Sequence, residues 1–103
     1  MIVVADTSPI NYLVLIGHIE ILPRIYGEVL IAPAVLEDLQ DRNAPDAVRS
    51  WVAQAPHWMK ICPLRGIPHR SLDFLDRGER EAIALAEEVQ ADRLIADETL
   101  ARA

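Results

Sequence analysis

Four acidic residues stand where a folded chain could gather them. Asp6 ends the apolar run Ile2-Val3-Val4-Ala5 and is followed at once by Thr7-Ser8-Pro9. Glu37 lies about one helical turn beyond Pro33, Glu79 stands at the start of a long amphipathic stretch, and Asp97 ends Arg93-Leu94-Ile95-Ala96. Carboxylates held close together repel and raise one another's pKa unless a cation joins them. An all-oxygen site of this kind suits Mg²⁺ or Mn²⁺ over zinc. With one metal and a carboxylate base, or with two metals, it would activate water for in-line attack on a phosphodiester. A plainer reading stands beside this one. Helix N-termini favour acidic residues through the helix dipole, by about 0.3–1 kcal/mol each. That would account for Glu37 or Glu79 taken singly, and capping would account for Asp6 or Asp97. Four on one edge, two of them directly ending apolar strands, are harder to attribute to capping.

The elements that must position these acids alternate along the chain. Residues 2–5 read as a short buried strand. Ser8 can cap the next helix, with Pro9 at its first position, where a missing N–H costs nothing. Ile10, Leu13 and Val14 follow at helical spacing, and a second short piece at 18–22 is stopped near Pro23. Residues 28–32 form the second strand, and Pro33 opens a helix with Val35, Leu36 and Leu39 inward. A helix at 46–53 turns Val48, Trp51 and Val52 inward, and 58–62 is a third strand between prolines. After a loop with Pro63, Gly66 and Pro68 come a helical turn at 71–75 and a helix at 78–90, with Ala82, Ile83, Ala86 and Val89 at core spacing. Residues 93–96 are the last strand. Alternation of this kind predicts an α/β fold with a parallel sheet of about four strands, right-handed crossovers and helices on both faces. Every strand then delivers its carboxyl end to one rim, where such folds bind ligands. Asp38 and Glu81 point to other sides of their helices than Glu37 and Glu79.

The chain has 103 residues, which suits one domain spanning 1–103. Its 51% hydrophobic content, mostly aliphatic, can supply a core. Cys62 is the only cysteine, which excludes a disulfide framework and points to the cytoplasm. The apolar stretch 1–16 is interrupted by Asp6, Pro9 and Asn11 and falls short of the ~20 residues of a membrane span. It also lacks the basic leader of a signal peptide. A net charge of −6 argues against nucleic-acid binding through bulk charge, although clustered catalytic acids would themselves lower it.

Four segments together resemble the PIN-domain family of metal-dependent ribonucleases, and within it the prokaryotic proteins related to VapC-type toxins. They are Ile2 to Pro9, Ala32-Pro33-Ala34-Val35-Leu36-Glu37, Leu75 to Ala86, and Leu94-Ile95-Ala96-Asp97-Glu98. The resemblance implies a PIN-like three-layer sandwich, Mg²⁺ or Mn²⁺ as cofactor, an RNA substrate and an antitoxin protein as partner. Carried over by position, the family's acids fall on Asp6, Glu37, Glu79 and Asp97. Glu79 stands where many relatives have Asp, and Glu98 competes with Asp97 as metal ligand. Relatives usually continue past this point with a helix and a final strand, whereas this chain stops at Ala103. The expectation is a C-terminally shortened domain whose strand 93–96 forms an open edge, and hence a homo-oligomer, since unpaired edges invite pairing.

Substrate contacts are expected from Thr7 and Ser8 near Asp6, and from Arg70, Arg77 and Arg80, with Arg65 and His69 nearby. Arginine forks suit phosphate, while a solvated loop with ordinary ion pairs is the bland alternative. Two other functions compete. A Mg²⁺-dependent phosphoacceptor or phosphatase would also use a rim aspartate. Against it, the only lysine, Lys60, precedes the wrong loop, a second acid after Asp6 is lacking, and no Walker loop exists. A catalytically degenerate PIN-like module that binds RNA or protein without cleaving is the other.

Overall fold

The computed structural model describes residues 1–54 and 56–96, so the expectations placed on Asp97 and Glu98 lie outside the described residues. Four strands, β1 (Val3–Ala5), β2 (Val29–Ile31), β3 (Met59–Ile61) and β4 (Arg93–Ile95), form one parallel sheet in the order β3-β2-β1-β4. Between them lie α1 (Thr7–Leu15), α2 (Ile21–Tyr26), α3 (Pro33–Gln40), α4 (Asp46–Ala53) and α5 (Arg77–Glu88), with a short 3-10 turn at Arg70–Leu72. The α/β architecture with an all-parallel four-stranded sheet is therefore as the sequence predicts.

The strands form because β-branched residues can be buried on both sheet faces. Val3, Val4, Ala5, Val29 and Ile31 are each no more than 1% exposed. Register pairs Val4 with Leu30 on one side and with Leu94 on the other. The chain steps from β1 outward to β2 and β3, then crosses back to lay β4 on the far side of β1. Right-handed crossovers place connections made in opposite directions on opposite faces of a sheet. The reversal therefore opens a crevice between the carboxyl ends of β1 and β4, the position at which open α/β sheets bind ligands.

Several local boundaries differ from the sequence reading. Helix α1 starts at Thr7, and its N-cap is Asp6, not Ser8, which is exposed inside the first turn. Asp6 is already held at the end of the ladder, its N–H donating to the Ile95 carbonyl at 2.9 Å, so the chain turns there. Helix α2 runs through Pro23, because a proline within the first turn forfeits no intrahelical bond. It stops at Gly27, whose φ of 74° ends the helix.

Helix α5 begins one residue before Gly78, on an N-cap formed by Asp76. Its deepest residue is Leu85, with Ala82 also buried, while Ile83, Ala86 and Val89 are only partly covered. In α4, Val48 and Val52 are buried, and Trp51, partly buried, packs against the core and against Trp58 with ring centroids 6.0 Å apart. No helix among the described residues is long and apolar enough to cross a membrane.

Candidate functional site

Asp6 is the single buried charged residue among those described, at 3% exposure. Its backbone is extended, and its Oδ1 accepts the Thr7 N–H at 2.7 Å, which satisfies one free donor of α1. Burial pushes the Asp6 carboxyl above its ordinary value, the charges of Asp76 and Asp38 push it the same way, and the Thr7 N–H opposes them. Asp6 lines a cavity of about 220 Å³ together with Glu79, Ala82, Ile83, Leu94 and Ala96. The cavity lies between the carboxyl ends of β1 and β4, in the crevice that the strand order creates.

Helix α3 turns Asp38 to this rim. The Thr7 hydroxyl donates to Asp38 Oδ2 at 3.0 Å. Gly78 makes this approach possible, because a Cβ there would collide with Asp38 Oδ2 and stand 3.4 Å from Thr7 Oγ1. Glu37, one residue earlier, forms an ion pair with Arg77 at 2.7 Å. The helical period carries a signal for this difference. At roughly 100° per residue, Asp38 falls between the directions of the buried Ala34 and Val35, although its own side chain is exposed, and Glu37 falls about 100° away from it.

Helix α5 supplies Glu79, whose backbone N–H donates to Asp76 Oδ1 at 2.9 Å. Some loss of water around its carboxyl raises Glu79 above its ordinary value although the residue is exposed, and the carboxylates of Asp76 and Asp6 add to this. Asp76 thus acts on both Asp6 and Glu79, although its own visible task is to cap α5. Only its place just before the helix, the usual N-cap position, hinted at it in the sequence.

The expected substrate residues divide. Thr7 is held by Asp38, and Ser8 is exposed on α1. Arg77 is engaged by Glu37 and, through Nε at 3.3 Å, by Glu81. Glu81 Oε1 also accepts the Ala34 N–H at 3.1 Å, which caps α3 from a neighbouring helix because Ala32 has no side chain able to do so. This set of contacts ties α3 to α5. Arg65, Arg70 and Arg80 form no ion pair among the described residues. His69 uses Nδ1 to accept the Ser71 N–H, capping the 3-10 turn.

Asp6, Asp38 and Glu79, with the Thr7 hydroxyl, are a hard all-oxygen donor set whose chemistry fits Mg²⁺ or Mn²⁺. Among the described residues, no three His, Cys, Asp or Glu side chains already converge as a metal-binding group. The raised carboxyls of Asp6 and Glu79 show the electrostatic cost that a cation would offset.

A family model described as a PIN domain matches residues 2–103. No curated protein and no solved structure matches the chain. With a match over nearly the whole sequence and a parallel sheet carrying an acidic rim, the chain belongs to the PIN-domain family, whose fold is of nuclease type.

Proposed function

We propose that this protein is a Mg²⁺- or Mn²⁺-dependent endoribonuclease whose working acids are Asp6, Asp38 and Glu79, with Asp97 or Glu98 as a further ligand. The observation that carries this reading is the buried Asp6 carboxylate in the crevice between β1 and β4, raised by burial and by neighbouring acids. PIN domains are in general nucleases that use divalent cations, which supports it. When bound, such a cation lowers the pKa of water and stabilises charge on the scissile phosphate.

The chain's own residues supply the rest. Asp6 and Asp38 are fixed by Thr7, through its N–H and its hydroxyl, so both present carboxylate oxygens from rigid elements. Glu79, exposed and with its affinity for protons raised, is suited to accept the proton of the attacking water. The water oxygen bonds to phosphorus as the bond to the leaving sugar oxygen breaks, that oxygen takes a proton from solvent, and Glu79 returns its proton to solvent. The apolar wall of Ala82, Ile83 and Leu94 limits water around Asp6. Glu37 holds Arg77 and so braces α3 against α5. A toxin role with an antitoxin partner extends the same reading and rests on the family likeness alone, while pairing of two chains along β4 rests on its place at the edge of the sheet among the described residues.

Cleavage of a labelled single-stranded RNA in Mn²⁺ tests the proposal. Asp6→Asn and Asp38→Asn should each lower the rate by about 10²-fold or more, the scale on which misplaced catalytic groups act. Glu37→Gln should stay within several-fold of wild type. Equal rates for wild type and Asp6→Asn would remove the site. RNA binding without cleavage by the wild type would instead support the non-cleaving module.

A further inference from the structure

The loop between β3 and α5 carries an apolar feature that the core does not use. Phe74, the chain's one phenylalanine, is 83% exposed, and Ile67 on the same loop is 96% exposed. Neither belongs to the core cluster or packs against it. A ring left in water forgoes the burial that usually justifies a phenylalanine.

The backbone around Phe74 is nevertheless held. The Asp73 N–H donates to the Arg70 carbonyl at 3.1 Å, and the Leu75 N–H donates to the Leu72 carbonyl at 3.0 Å. At the loop's other end, the Glu88 carboxylate accepts the N–H groups of Arg65 and Gly66 at 2.7 and 3.1 Å. The ring is therefore displayed from an ordered turn. It stands two residues before Asp76, so the two Cα atoms lie within roughly 7 Å of each other. Asp76 Oδ1 in turn accepts the Glu79 N–H at 2.9 Å, so the ring is carried two residues from the N-cap of the helix that bears Glu79.

Charge selects the occupant. Arg65 and Arg70 share the loop, Arg80 follows in α5, and none of the three is engaged by a carboxylate among the described residues. Along the chain the exposed ring lies between Arg70 and Arg80, with Asp73 and Asp76 nearer to it, and an aromatic ring set between two unengaged guanidinium groups matches an unpaired base with a phosphate on either side. Stacking on aromatic rings and contacts from arginine are how proteins hold single strands irrespective of sequence.

We propose that Phe74 is the stacking platform for an unpaired base of a single-stranded nucleic acid, with the flanking phosphates at Arg70 and Arg80. The choice of ligand rests on the nuclease reading above, but the platform binds and takes no part in bond cleavage.

Fluorescence anisotropy with a labelled oligonucleotide of about twelve nucleotides, as RNA, as DNA and as RNA duplex, tests it in Ca²⁺. Phe74→Ala and Phe74→Leu should each weaken single-strand binding about tenfold, while Phe74→Trp stays within about twofold of wild type. The loss in Phe74→Ala should be the same factor at every salt concentration, whereas Arg70→Ala should reduce the salt dependence itself. Thermal unfolding of the Phe74 variants should match wild type, since the ring supports no core.

Unchanged affinity in Phe74→Ala would overturn the proposal and leave the ring to a protein partner. Full binding by Phe74→Leu would show a generic apolar contact and overturn it too. So would failure of the wild type to bind single strands, or equal Phe74 dependence with duplex. Phe74-dependent binding without cleavage in Mn²⁺ would refute the nuclease reading and keep the platform. Cleavage whose KM for the single strand is the same in Phe74→Ala as in wild type would do the reverse.

Discussion

Replacing Gly78 with alanine probes the packing that brings α3 and α5 to one rim. The new Cβ would overlap Asp38 Oδ2, so this carboxylate must retreat by on the order of 1 Å to reach an ordinary contact. Asp38 is exposed and has room to swing outward, so the backbone need not move. The retreat breaks the Thr7–Asp38 hydrogen bond, worth about 0.5–1.5 kcal/mol. Alanine in place of glycine within a helix returns about 0.5–1 kcal/mol. The net change in stability should therefore stay within about 1 kcal/mol, a Tm shift of no more than ~8 °C for a domain of this size.

Activity should respond differently, because displacing a catalytic group by such a distance can cost about 10²-fold in rate. Urea and thermal unfolding, run beside Mn²⁺-dependent RNA cleavage on the same preparation, read both quantities. Wild-type cleavage by Gly78→Ala would refute the claim that Asp38 must stand beside Thr7. A loss of stability beyond ~3 kcal/mol would show that Asp38 cannot yield, and that the collision is borne by the fold.

Two further predictions concern the charges. Burial, then Asp76 and Asp38, hold the Asp6 carboxyl above its ordinary 3.8, so the folded protein keeps a proton that the unfolded chain has released. The stability contributed by Asp6 is thus full below that ordinary value and lost as pH rises through the folded one. Calorimetry in EDTA should show Asp6→Asn melting above wild type at neutral pH, with the gap closing toward acid. A lower melting temperature for Asp6→Asn at neutral pH would contradict this. Glu81→Ala removes the acceptor of the Ala34 N–H as well as an arginine partner, and should cost about 1 kcal/mol in urea unfolding. Arg77→Ala, which loses two ion pairs made by a largely exposed guanidinium, should cost less than that, and the opposite order would refute the capping role of Glu81.

Much of the architecture was legible in the sequence. Short runs, each closed by a proline or an acid, mark the strands; the central β1 and β2 are continuously apolar because they are buried on both faces, while the edge strands β3 and β4 carry Lys60 and Arg93. Their alternation with stretches of helical period leaves a parallel sheet as the economical solution, and that places Asp6 on the rim before any coordinates are known. The start of α3 at Pro33 and the extent of α4 follow from the same local rules.

Tertiary structure decided which side chains meet. Glu37 and Asp38 are adjacent acids in one helix, and choosing between them requires knowing what covers α3. That cover is α5, and Gly78, some forty residues away in sequence, leaves the space that Asp38 enters. Arg77 reads from the sequence as a phosphate ligand, and the packed chain also pairs it with Glu37 and Glu81. Asp6 became the cap of α1 in place of Ser8 because its N–H is committed to Ile95, a residue almost ninety positions away. Local periodicity sets the face on which a residue lies. The chemistry it can perform depends on partners distant in sequence, which only the packed chain brings to it.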